Sequence, residues 1–296
     1  MHFFEYPFQP KRIEIRPRIA MSYLDEGPRD AAVIVMLHGN PSWSYYWRRL
    51  VHVASRQFRC IVPDHIGMGL SDKPNDSVYR YTLESRVSDL TALLAHLRVD
   101  GPVILAVHDW GGMIGFAWAL SHVSQLAGLI ITNTAGFPLP PNKRAPWFIQ
   151  LGRQWAFGEW CVRRFNAFAK AVARWGVRTP MLPAIRQAYL SPYGDWNQRI
   201  GIARFMQDIP YGPKDEAWSI VHSVDVHLSK LVDRPTLIGW GLLDPVFDRR
   251  FFEVFCHRFP HATVCAYPDA GHYILEDKAT DLIAQIALFL QQFVRV

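Results

Sequence analysis

Five side chains in this 296-residue sequence combine types and spacing that can do chemistry: Asn40, Asp109, Trp110, Asp244 and His272. Asp109 ends the apolar run Val103-Ile104-Leu105-Ala106-Val107-His108 and precedes Trp110-Gly111-Gly112-Met113-Ile114-Gly115. A β-type run thus breaks at a charged residue and restarts as a Gly-rich helix. A strand, sharp turn and helix in that order lift the turn side chain above a sheet and aim the next backbone N–H at the reacting group. A Ser placed there attacks carbonyls once a base removes its proton, whereas a carboxylate is already ionised and displaces leaving groups at saturated carbon. Substrates with a leaving group on sp3 carbon come first. Taken alone, Asp109 reads equally well as a helix N-cap.

Asp244 and His272 change that balance. They follow Asp109 in the chain order nucleophile, acid, base, and each sits just past an apolar stretch, so the three should converge at one edge of a sheet. His272, oriented by Asp244 through one ring nitrogen, can offer the other to a water or a leaving group as base or acid. Asn40 and Trp110 supply a side-chain amide and an indole N–H, neutral donors suited to a diffuse developing anion. Each has a plainer reading, Asn40 as a turn residue before Pro41 and Trp110 as core. His108 reads as a packing or turn residue. His38 and His65 lack metal-ligand spacing or a carboxylate partner, so no metal is assigned, and the chemistry calls for no cofactor.

The elements that must position these groups follow a regular alternation. Arg12 to Asp25 predicts an antiparallel hairpin. Ala32-Val33-Ile34-Val35-Met36-Leu37 and Cys60-Ile61-Val62-Pro63-Asp64 are unbroken apolar runs, the mark of strands buried on both faces. Thr82 to Leu97 carries Leu83, Val87, Leu90, Leu93, Leu94 and Leu97 at helical spacing. Further strands are expected over Leu129 to Thr132, over Arg234 to Trp240 and just before Asp269, with a terminal helix presenting Leu282, Ile283, Ile286, Leu288, Phe289 and Leu290. Short strand–helix alternation implies a mostly parallel sheet with right-handed crossovers. From Phe137 a Pro-rich linker opens a helical stretch with six of the eleven Trp, read as a cap over residues 137–220 that lies on the carboxyl ends of the strands; residues 1–136 and 221–296 form the core domain. Most cap aromatics are expected inside the cap and a minority along an apolar pocket.

Composition bounds the partners. Half the residues are hydrophobic, and 32 basic against 26 acidic residues give a net charge of +6. No basic run interleaves with aromatics, which argues against nucleic acid. Between Asn142 and Arg204 there are eleven Lys/Arg and two acidic residues, so a basic cap face including Arg163, Arg164, Lys170 and Arg174 is expected to dock a protein partner or a peripheral membrane surface, or to serve solubility. Four scattered Cys, no leader-like N-terminus and no long apolar run lead to the expectation of a cytoplasmic protein.

His38-Gly39-Asn40-Pro41, Val107-His108-Asp109-Trp110-Gly111-Gly112 and Gly271-His272 resemble the haloalkane dehalogenases of the α/β-hydrolase superfamily. The resemblance implies an α/β-hydrolase fold, an alkylated Asp109, Asn40 and Trp110 holding the leaving group, and His272 activating water. One branch of that family places its acid as Glu after the sixth strand; Asn133-Thr134 stand there, so the chain resembles the branch that uses Asp244. The longer strings His38 to Trp47, Cys60 to Pro74 and Asp269 to Lys278 are similar to bacterial β-lactone decarboxylases of long-chain olefin biosynthesis. That likeness implies conversion of hydrophobic cis-3,4-dialkyl-oxetan-2-ones to cis-alkenes and CO2, beside the enzymes that make the lactone. Haloalkane hydrolysis is the alternative activity, and a non-catalytic ligand receptor on the same scaffold is the alternative class.

Overall fold

Neighbouring apolar runs become neighbouring strands. In the computed structural model, which describes residues 2–154 and 156–294, one sheet contains β1 (Lys11–Arg16), β2 (Ile19–Glu26), β3 (Val33–Leu37), β4 (Arg59–Pro63), β5 (Val103–Asp109), β6 (Leu126–Thr134), β7 (Thr236–Gly241) and β8 (Thr263–Tyr267). The order across the sheet is β1-β2-β4-β3-β5-β6-β7-β8. β1 and β2 form the expected hairpin, β2 joins β4 antiparallel, and the remaining pairs are parallel. Every residue of β3, β4, β5 and β7 is buried, which is what Val/Ile/Leu runs without alternation require.

Helices α1 (Arg48–Ala54), α2 (Leu83–His96) and α3 (Trp110–Ser121) belong to the first part of the chain. Between β6 and β7 come α4 (Trp147–Gln154), α5 (Ala156–Phe165), α6 (Ala167–Trp175), α7 (Pro183–Leu190), α8 (Ile200–Gln207) and α9 (Trp218–His227), of which α4 to α7 pack in succession and α9 returns against α3. The chain closes with α10 (Arg249–Arg258), α11 (Ile274–Asp277) and α12 (Ala279–Leu290), α12 lying on α1. No described helix is long and apolar enough to cross a membrane.

Register decides where the functional loops emerge. Leu37 pairs with Val107, Asp109 with Thr134, and Thr132 with Gly239. The ends of β3, β5, β6 and β7 therefore lie side by side, and the residues just beyond them face one another.

Three expectations fail in instructive ways. Leu288 is exposed although α12 buries Leu282, Ile283, Ile286, Phe289 and Leu290; its position falls off the stripe that meets the sheet. Trp147, Trp160, Trp175 and Trp196 are all exposed rather than forming a cap core, because the short cap helices bury Ala, Ile and Val against one another; Trp147 and Trp175 nonetheless line an apolar cavity, as expected of a minority. Trp155 lies outside the described residues. On α2 the charged Arg86 and Asp89 are buried, while Val87 and Leu97 are only partly so.

Arg86 explains its own burial. Its Nη1 pairs with Asp208 at 2.6 Å, just past α8, and its guanidinium lies 3.8 Å from the Phe205 ring centroid and 5.2 Å from that of Trp110. This joins a core helix to a cap helix through a desolvated ion pair stacked on aromatics. Arg86→Met leaves Asp208 buried without its cation and is expected to lower stability by about 3–5 kcal/mol, read as the urea midpoint. Adding Asp208→Asn should restore most of the loss; a single variant as stable as the parent would show that the pair contributes nothing.

Candidate active site

Asp109 is the last residue of β5 and sits at φ 52°, ψ −125°. That positive φ is a strained conformation for a residue with a side chain, and neighbours on three sides hold it. The Thr134 hydroxyl donates to the Asp109 carbonyl. A side chain at Gly111 would overlap the Leu37 carbonyl, so α3 can start close against β3 only with glycine there. A side chain at Gly39 would overlap the Asp109 carboxylate itself. These contacts present the carboxylate at the floor of a cavity rather than along the strand.

One carboxylate oxygen is anchored and the other faces the base. The Asn40 backbone N–H donates to Asp109 Oδ1 at 2.6 Å, and the Trp110 backbone N–H also favours the ionised form. Asp109 Oδ2 lies 3.9 Å from His272 Nε2, too far for a direct hydrogen bond and wide enough for a reacting atom to enter. Burial raises the Asp109 pKa to about 6 against the lowering pull of His272 and the two N–H groups. A dry carboxylate is a stronger nucleophile than a hydrated one, provided it remains charged.

His272 is held on every side. Its Nδ1–H donates to Asp244 Oδ2 at 2.7 Å, its ring stacks on Phe247, and its carbonyl accepts from His108 Nε2–H at 3.0 Å. Burial opposes charge on the ring, but Asp244 and then Asp109 outweigh it, and the pKa is raised. Asp244 is in turn fixed by the Val246 and Phe247 backbone N–H groups on Oδ1, at 2.7 and 3.1 Å, and by Asn133 Nδ2 on Oδ2 at 3.0 Å.

All five expected residues come together here: Asn40, Asp109, Trp110 and His272 line one cavity, and Asp244 supports His272 from behind. Asn40 has a second task beside its expected one. One amide N–H is spent on the Ile202 carbonyl of α8 at 3.1 Å, so the side chain ties the loop after β3 to the cap and has a single N–H left to offer. His38 and His65 are bound to each other's backbones: the His65 N–H donates to His38 Nε2 and His65 Nε2–H donates to the His38 carbonyl. Burial lowers the His38 pKa to about 4, so the pair is a neutral brace under the Asn40 loop.

Asn133, Thr134 and Gly39 belong to the site and were not singled out for it from the sequence. Their signal is positional: each lies within two residues of the end of a buried strand that neighbours β5. The cavity above Asp109 measures about 570 Å3, and its walls are mainly apolar, including Met113, Phe137, Ile149, Phe168 and Val246. That size and lining fit a hydrophobic small molecule with one polar reacting group.

Residues 32–279 match the α/β-hydrolase fold family. The chain belongs to that family. Among curated relatives, a cis-3-alkyl-4-alkyloxetan-2-one decarboxylase of Xanthomonas campestris pathovar campestris is 56% identical over 292 residues, 97% of each chain. An enzyme of the same name from Shewanella oneidensis is 45% identical over 92% of this chain and 85% of its own. A haloalkane dehalogenase of Mycobacterium marinum is 31% identical over 95% and 93%. Solved haloalkane dehalogenase structures share the fold: a putative ancestral one superposes with a TM-score of 0.86 at 23% identity, covering 96% of this chain and 99% of that one. This α/β-hydrolase-fold protein is thus haloalkane dehalogenase-like in architecture and nearer in sequence to the two decarboxylases than to the M. marinum enzyme.

The raised Asp109 pKa has a direct kinetic consequence. A carboxyl in water keeps its charge down to about pH 4, whereas Asp109 takes up a proton as the pH falls through about 6. If turnover requires the carboxylate, kcat/KM should fall on the acid side with an inflection near 6, since that quantity reports the free enzyme. An acid limb with its inflection near 4 would show that the group is not desolvated.

Proposed function

We propose that the protein is a β-lactone decarboxylase that converts cis-3,4-dialkyl-oxetan-2-ones to cis-alkenes and CO2 with Asp109 as nucleophile. The observation that carries the lactone over the halide is the closer, near full-length likeness to the two decarboxylases, because the side chains around Asp109 suit either substrate. The large apolar cavity fits a substrate with two alkyl chains.

The hydrogen bonds favour one route. Attack on the lactone carbonyl would create an oxyanion needing the backbone N–H groups of Asn40 and Trp110, which in serine enzymes of this fold stabilise such a charge. Here the Asn40 N–H is spent on Asp109 Oδ1. Displacement at the ring sp3 carbon needs no such donor. Asp109 Oδ2 forms a bond to the carbon bearing the ring oxygen, that C–O bond breaks, and its electron pair leaves as a carboxylate facing the remaining Asn40 N–H and Trp110. Loss of CO2 then supplies the electrons of the C=C bond and expels the Asp109 carboxylate. Inversion followed by anti elimination turns a cis-lactone into a cis-alkene, and no water or proton is consumed.

Haloalkane hydrolysis shares the first step and departs at the second, where His272 would activate water against the alkyl ester. A single assay offering a dialkyl β-lactone and a bromoalkane, scored for alkene and for bromide, separates the two. Alkene from the lactone with little bromide is expected, and bromide without alkene would overturn the proposal. Asp109→Ala should abolish turnover of both substrates. His272→Ala should accumulate an ester on Asp109 from the bromoalkane, detectable by mass spectrometry, while retaining much of the lactone reaction.

A further inference from the structure

The cap carries a surface that the reaction does not use. On α5, Gly158, Cys161 and Val162 line the cavity, and the opposite side exposes Phe157, Trp160 and Arg164, with Phe165 exposed at its end. The aromatics touch one another rather than the interior: the Phe157 and Trp160 rings stack with centroids 5.8 Å apart, and Trp160 meets Phe165 edge-on at 4.9 Å. On α6 the same division holds, with Phe168, Ala171 and Val172 on the cavity and Lys170 and Arg174 outside. A contiguous aromatic patch exposed to water is unfavourable unless something covers it.

The charges around it are unbalanced. Among the described residues of α5 and α6, Arg164, Lys170 and Arg174 are exposed and make no ion pair. Arg163 does not belong to this face, contrary to the expectation from sequence. It is buried, pairs with Glu159 at 2.9 Å and donates to the Trp196 carbonyl, because its position on α5 turns it toward α8. Glu159 is occupied by Arg163 and Arg204, and Asp195 accepts from the Asn197 and Gln198 backbone N–H groups. Both acidic residues of the stretch are thus engaged elsewhere.

The cavity is flanked on this module by two more exposed indoles. Trp147 at the start of α4 and Trp175 at the end of α6 both line it, yet they are 75% and 70% exposed. Indoles with interspersed Lys and Arg are the composition that settles at the headgroup level of a bilayer, rings toward the acyl boundary and cations on anionic headgroups. A protein partner would have to provide a matching acidic and apolar surface; an anionic bilayer provides both at once, together with an apolar medium continuous with the cavity.

We propose that the outer face of α5 and α6 is a peripheral docking surface for an anionic lipid bilayer, placing the Trp147–Trp175 rim against the membrane so that a water-insoluble substrate enters from lipid. The substrate class rests on the proposed lactone reaction; the docking itself does not. Each cation near such a surface contributes about fivefold to partitioning, so three reversed charges remove about a hundredfold or more.

The test is co-sedimentation of the full chain, without substrate, with vesicles of phosphatidylcholine alone or mixed with phosphatidylglycerol, at low and at high salt. Binding is expected to the mixed vesicles at low salt, to weaken with salt through screening, and to drop about a hundredfold in Arg164→Glu/Lys170→Glu/Arg174→Glu. Phe157→Ser/Trp160→Ser should bind more weakly while keeping the parent's salt dependence. Both variants change exposed residues outside the cavity and should retain the parent's thermal midpoint and its turnover of a short-chain soluble lactone. Absence of binding to mixed vesicles at low salt, or equal binding by parent and charge-reversed protein, overturns the proposal. So does a parent that ignores vesicles while the variants slow only turnover coupled to the lactone-forming enzyme, which would make the face a protein interface. Vesicle binding without lactone turnover would leave the docking standing and refute the lactone reading.

Discussion

The hydrogen bond from the Asn40 backbone to Asp109 Oδ1 is the constraint on which the rest depends. A buried carboxylate free to rotate would present either oxygen in any direction, and a buried carboxylate without donors would hold its proton well above neutral pH. The backbone donors beside it, one at 2.6 Å, solve both problems. The Asn40 bond fixes one oxygen and leaves the other toward His272, and together the two N–H groups keep the group ionisable near pH 6. The same bond removes a donor from service to a substrate oxyanion. In the proposed reaction that decides the bond attacked: a carbonyl would go unsupported, whereas a saturated carbon has no need of the missing donor.

Much of the surrounding structure exists to hold that arrangement. The positive φ of Asp109 stores about 1–3 kcal/mol of strain, offset by Thr134 on its carbonyl and by the tight seat of α3 on β3. His38 and His65 brace the loop that carries Asn40. Asn40 reaches the Ile202 carbonyl and Arg86 reaches Asp208, so the loop, the core and α8 are joined by polar contacts buried from water. The cap is therefore bolted to the catalytic floor on the α8 side, and α4 to α6 form the remaining wall of the cavity. On His272 the logic repeats: Asp244 holds one nitrogen, and Asn133, Val246 and Phe247 hold Asp244.

The sequence disclosed the core well and the polar joints poorly. Buried parallel strands are legible because unbroken Val/Ile/Leu runs have few other fates, and once the strands are placed, Asp109, Asp244 and His272 must emerge at one edge. Arg86 and Asp89 are illegible because a helical stripe counts apolar spacing and assigns charged residues to water; their burial is explained by partners outside the helix, Asp208 for Arg86 and both Arg16 and the Tyr79 hydroxyl for Asp89. The motif marks Asn40 as a side-chain donor to the substrate but gives no sign that half of that amide also serves a cap residue 162 positions away. Hydrophobicity alone places most cap aromatics inside the cap and a minority along a pocket; Trp147 and Trp175 do line the cavity, but short helices of small residues leave large rings such as Trp160 and Trp196 exposed.

Asp109 is proposed to attack the ring sp3 carbon because the backbone donor a carbonyl route would need is already committed. The direct measurement uses a dialkyl β-lactone with isotopically heavy oxygen at the ring position and reads the mass of CO2 drawn off before it exchanges with water. Displacement breaks the bond between that oxygen and the saturated carbon, so the heavy oxygen leaves in CO2, and this is the predicted result. Attack at the carbonyl breaks the acyl bond and keeps the heavy oxygen on the alkyl chain, from which it has to depart as water rather than in CO2 when the alkene forms. Light CO2 would mean that the acyl bond is the one attacked.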